Sequence, residues 1–141
     1  MAVPGIEITY TTTAATPVTY TVRFEKLSNS TSLNYIDDTS LTYSATGTPL
    51  VSGSSQGVLR MWTIVGWLKE NDIRILLDLW EEYRAEEASG SVAVIEVSDE
   101  TFPHSIAAPL TAQAIIEAPP ERPGPGTGPF WFPASIGLTE V

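Results

Sequence analysis

Cysteine is absent and histidine occurs once, as His104, so disulfide frameworks, thiol nucleophiles and Cys/His zinc sites are excluded. Any catalysis would have to come from carboxylates or hydroxyls. Basic residues are scarce too: 7 against 17 acidic side chains give a formal charge of -10, which argues against a binder that neutralises nucleic-acid phosphates. No window approaches the roughly 18 consecutive apolar residues that cross a bilayer, so no membrane partner is expected. The first residues, Met-Ala-Val-Pro-Gly, lack a basic segment and an apolar stretch of secretory length, and no signal peptide is expected.

What is present describes a folded chain. In 141 residues, 43% are apolar and 17% charged, with 4 Trp, 5 Tyr and 4 Phe, a composition that fits one domain rather than two and opposes general disorder. Gly5 to Tyr10 begins a first strand. Pro17 to Glu25 predicts a clearer one, because Val18, Tyr20, Val22 and Phe24 alternate with Thr19, Thr21, Arg23 and Glu25. From Leu27 to Gly57 the chain is rich in Ser, Thr, Asn and Asp, with apolar islands at Leu33 to Ile36 and Leu41 to Tyr43; this reads as a long hairpin or extended loop that projects from the domain.

Gly57 to Val65 places apolar residues on both faces and predicts a central strand covered on both sides, with a turn at Gly66. A helix follows over about 70–88, with Asn71 as the expected N-cap and Ser89-Gly90 as the stop. Its apolar stripe is predicted at Ile73, Leu76, Leu77, Trp80 and Tyr83. Ser91 to Ser98 and Leu110 to Glu117 read as strands, and Phe130 to Thr139 as a terminal one. Glu117 to Pro129 holds five Pro and three Gly in thirteen residues, which predicts a loop. The expected fold is mainly β: a β-sandwich of about 6–8 strands with one flanking amphipathic helix.

Searching for chemistry returns little. Asp37-Asp38 is an adjacent acidic pair, but sequence neighbours diverge on a strand or form a turn, so convergence on one substrate bond is not implied. His104 lacks a Gly-x-Ser-x-Gly elbow nearby and reads as an exposed loop residue. The Gly-Pro run from Pro123 to Pro129 does not end in the Lys-Ser/Thr of a phosphate loop. Catalytic residues, cofactors and metals are therefore not expected. Trp131, flanked by Phe130 and Phe132, reads as an outward-facing contact residue.

From Arg60 to Val141 runs a strand containing Arg-Met-Trp-Thr-Ile, a Gly-x-Leu turn, an amphipathic helix stopped by Gly, further strands, and a terminal Leu-Thr-Glu-Val. This layout resembles the tail-tube-like β-sandwich of tailed bacteriophages, particularly the distal tail and minor tail proteins at the tube end. The resemblance implies a non-enzymatic virion part, assembled in the host cytoplasm. Its partners would be copies of itself, commonly in a sixfold ring, and other tail or baseplate proteins. DNA would pass through the channel without being recognised. Candidate subunit contacts are Tyr35, Asp37, Asp38, Tyr43, Phe130 and Trp131. The alternative is a carbohydrate- or receptor-binding β-sandwich in which Trp131 and neighbouring aromatics stack on sugars. A carboxylate-dependent hydrolase is a third reading.

Overall fold

A computed structural model describes residues 3–36, 40–52, 59–121 and 131–141. Alternating sequences form the expected strands: β1 (Ile6–Thr11), β2 (Thr19–Phe24), β3 (Lys26–Leu27), β4 (Ser32–Ile36), β5 (Ser40–Tyr43), β6 (Pro49–Ser52), β7 (Leu59–Leu68), β8 (Ile95–Asp99), β9 (Leu110–Glu121) and β10 (Phe132–Glu140). Between β7 and β8 lies the helix α1 (Glu70–Ala88). The chain is mainly β with this one helix among the described residues, as the alternation predicts.

Eight strands form one antiparallel sheet in the order β2-β1-β8-β9-β10-β7-β3, with β4 also paired to β7. The two ends of that order, β2 and β3, are separated in sequence by Glu25 alone. One nearly continuous strand therefore pairs with β1 through its first part and with β7 through its second, which forces the sheet to curl until its ends meet. The crossing is tight. A Cβ at Gly5 would overlap the Phe24 carbonyl oxygen, and one at Gly66 would overlap that of Lys26. Gly66 thus lies inside β7 rather than in the expected turn, where it admits the close approach of a second backbone.

Inward side chains fill the curled sheet. Ile6, Ile8 and Tyr10 from β1, Val22 and Phe24 from β2, Trp62, Ile64 and Leu68 from β7, and Ala134, Ile136 and Leu138 from β10 belong to one buried cluster with α1. β7 is paired on both sides but stands next to the end of the strand order rather than at its centre, and only its Trp62–Ile64–Leu68 face is buried; Met61 and Val65 are half-buried, so the expected covering of both faces is corrected. α1 closes the remaining side with Ile73, Leu76, Leu79 and Tyr83. Leu79 replaces Leu77 in the expected stripe. At about 100° per residue Leu79 lies roughly 40° from Tyr83 on the helix surface, whereas Leu77 lies roughly 120° away. Leu77 is 42% exposed.

Lys69, not Asn71, is the N-cap, and its side chain makes no capping bond. The helix stops where expected, at Ser89 and Gly90, the latter with φ +90°. β9 continues through Pro119 and Pro120, which the composition assigns to a loop. Two circumstances permit this: β9 pairs with β8 only as far as Ala114, opposite the first residue of β8, Ile95, and the register against β10 slips between Gly137 opposite Ala118 and Ser135 opposite Glu121. The rest of the Pro/Gly segment lies outside the described residues. The Leu27–Gly57 region divides: β4 joins the main sheet and Leu33 packs on the core, while β5 and β6 pair with each other.

Leu79→Ala should cost about 2–5 kcal/mol and Leu77→Ala only a few tenths, read as denaturant midpoints at unchanged m-value. The reverse order, a large loss at Leu77 and a small one at Leu79, would mean that the helix buries the face read from the sequence.

Candidate functional site

The most structured polar ground lies where β8 ends. Asp99 is buried, and both its oxygens are engaged: Oδ2 accepts from Trp62 Nε1 at 3.1 Å, and Oδ1 accepts from the Thr101 amide at 2.9 Å and from its hydroxyl. The indole that fills the core is thereby satisfied, and the turn after β8 is pinned. Above this pair opens a cleft of about 350 Å³, rimmed by Tyr35, Phe102, Pro103 and His104. His104 is half-buried there rather than exposed, its amide donating to the Thr101 carbonyl at 2.8 Å. Asp99 lines the same cleft, but its acceptors are already held by Trp62 and Thr101, so it is poorly placed to serve His104 as a catalytic partner.

Beside it, the Arg23 guanidinium grips Glu100 in a fork, donating from Nη1 at 3.0 Å and also from Nη2. Nη2 donates to the Val3 carbonyl at 2.8 Å, and Nε to Glu25 at 2.9 Å. Glu100 accepts the Gly5 amide, and its own amide donates to the Gly5 carbonyl at 2.9 Å. The pair therefore ties β2, the start of β1 and the end of β8 to the crossing at Glu25. Arg23 holds the Glu100 carboxyl below its ordinary range against the opposing effect of desolvation, with help from the Gly5 amide.

A third cluster secures the helix. Tyr83 accepts the Ile116 amide at 3.0 Å, a donor on the stretch of β9 that β8 no longer accompanies. Its ring meets Tyr10 edge-on with centroids 5.8 Å apart. Glu86 Oε1 accepts the Thr13 amide at 2.6 Å, tying the β1–β2 connection to α1. Among the described residues the Tyr10 hydroxyl and Glu86 Oε2 have no partner of good geometry, yet the hydroxyl, more than Thr13, lowers the carboxyl's pKa. Burial first, then Glu86, raises that of Tyr10.

Of the candidate contact residues, the three that are described lie on different strands or strand ends. Tyr35 is 63% exposed on β4, opposite Arg60 of β7, and Tyr43 is 66% exposed at the end of β5. Trp131 is half-buried just before Phe132, which pairs with Leu68 at the other end of β7. Along an extended strand that places Tyr35 and Trp131 roughly 25 Å apart. Asp37, Asp38 and Phe130 lie outside the described residues. Sequence reading missed the lysines: Lys26 Nζ stands 4.5 Å and Lys69 Nζ 5.5 Å from the centre of the Trp131 ring. It also missed Phe102, which is 95% exposed. No local motif foretells the lysine contacts, since positions 26, 69 and 131 come together only in the folded chain.

The outer face of the sheet is polar in register. Arg23, Glu7, Ser98 and Thr111 form one cross-strand row, and Thr21, Thr9, Glu96 and Gln113 the next. Among the described residues no group of three or more His, Cys, Asp and Glu is placed to hold a metal, and no helix is long and apolar enough to cross a membrane.

A carboxyl whose folded pKa is depressed contributes stability above its ordinary value of 4.5, and that contribution fades as pH falls through the folded value. Glu100→Gln should therefore melt below the native chain at neutral pH, with the gap narrowing as the buffer is taken below that value. A gap unchanged down to about pH 3 would show that the charge of Glu100 does not matter.

No protein-family model, curated protein or solved structure matches this chain.

Proposed function

We propose that the chain is a structural subunit of a tailed-bacteriophage virion, assembling with its own copies into a ring at the tail tip or baseplate. The observation that carries this reading is the outer edge of β4. Its sequence, Ser-Leu-Asn-Tyr-Ile, has neither charge nor proline, and among the described residues β4 pairs only with β7. Soluble chains usually guard such an edge with lysine, proline or a covering element. This one is bordered by Tyr35 and Phe102, exposed aromatics on the rim of one cleft. An unpaired strand edge with apolar flanks suits pairing with another chain.

The polar sheet face fits a channel wall. In its two cross-strand rows Glu7 and Glu96 supply the acids, and the single cation, Arg23, is held by Glu100 and Glu25. Such a wall would let DNA pass without gripping its phosphates. The sugar-binding alternative relied on an open Trp131 ring, and two lysine ammoniums already stand over that ring.

Light scattering should give a mass that rises with concentration toward a closed multiple of the chain, and negative-stain images should show rings. Antibody against the chain should label the tail ends of purified particles. A chain that stays monomeric when concentrated and is missing from particles would overturn the proposal. Within virions, Glu7→Lys combined with Glu96→Lys should slow genome ejection at unchanged particle yield; unaltered ejection would remove these strands from the channel wall.

A further inference from the structure

The cations of this chain are unevenly committed. Every arginine among the described residues is in an ion pair with a carboxylate: Arg23 with Glu100 and Glu25, Arg60 with Glu140 at 2.8 Å, Arg74 with Glu70 at 2.6 Å, and Arg84 with Glu87 at 3.7 Å. The two lysines of the sequence, Lys26 and Lys69, make no such pair among the described residues, and both converge on Trp131. A cation over an aromatic face is held in place electrostatically, but its N–H donors are not used up by carboxylate oxygens. Lys26 and Trp131 also line a shallow pocket with Leu27 and Trp67. The result is a fixed positive spot with an apolar floor on a chain of charge -10.

Copies of so acidic a chain repel one another unless the contact brings opposite charges together. The complementary surface lies on α1. Asp78, Glu81 and Glu82 are exposed, make no ion pair among the described residues, and share one helix face by their i, i+3, i+4 spacing. We infer that the Lys26–Trp131–Lys69 cluster of one copy receives the Asp78–Glu81–Glu82 face of α1 from the next. The two surfaces differ, so the contact is head-to-tail, the kind that closes into rings when the rotation permits. This inference rests on the reading of the chain as a ring subunit and supplies the charge contact that orders the copies.

The test uses the full chain in sedimentation and light scattering across a salt series. Lys26→Glu with Lys69→Glu should weaken assembly by roughly tenfold or more, and Lys26→Arg with Lys69→Arg should retain it. Asp78→Lys with Glu81→Lys and Glu82→Lys should weaken it similarly, and mixing the two reversed variants should restore mixed assemblies. Unchanged thermal melts would show that the variants fold. If the native chain assembles and the reversed variants assemble equally well, the lysine contact is wrong while the ring reading stands. If the native chain never assembles, both fail. Assembly that weakens in the variants but is not restored by mixing would place the partner acids elsewhere and overturn the pairing with α1.

Discussion

The passage from β2 to β3 through a single residue, Glu25, governs the rest of this fold. A strand that pairs on one side with β1 and a residue later on the other side with β7 leaves the sheet no choice but to curl. Curling sets the shape of the core, and a mouth remains for α1 to close with Leu76, Leu79 and Tyr83. The local cost is crowding. Glycine at positions 5 and 66 admits the carbonyls on either side of Glu25, and the Arg23–Glu100 fork binds the crossing to the end of β8. Hydrophobic burial supplies the bulk of the stability, while these polar contacts choose which strands meet.

The same closure determines which surfaces remain open. Strands β1, β8, β9 and β10 are each paired on both sides over at least part of their length, whereas among the described residues β4 pairs with β7 alone. The proposed assembly would use this edge, which carries the exposed Tyr35 and no charged side chain. At the opposite end of β7, the crossing brings Lys26 beside Trp131, and the start of α1 brings Lys69 to the same ring. The proposed strand edge and the proposed charge contact are thus both products of where the strand switches sides.

Much of the secondary structure was legible because its periodicity is strong. Val22 and Phe24 alternate with polar neighbours, and Ile73, Leu76 and Tyr83 repeat at helical spacing; all five are buried. Errors arose where two periodic solutions compete or where pairing, not composition, decides. Leu77 and Leu79 both border the helical stripe, and only the position of the sheet selects Leu79. Pro119 and Pro120 suggest a loop, yet a register slip and a missing neighbour strand accommodate them. Gly66 looks like a turn residue because its role, admitting Lys26, lies in another segment. Of the expected contact residues, Tyr35, Tyr43 and Trp131 have defined places; the lysines beside Trp131 could not be read from spacing, because nothing local links positions 26, 69 and 131.

Amide hydrogen exchange over residues 32–36, followed as the concentration rises, addresses the account at its centre. Amides of β4 that are not bonded to β7 should exchange quickly in the dilute chain and slow markedly once larger species form, as a neighbouring backbone takes them up. Assembled material in which those amides exchange as fast as in the dilute chain would contradict an interface built on this strand edge.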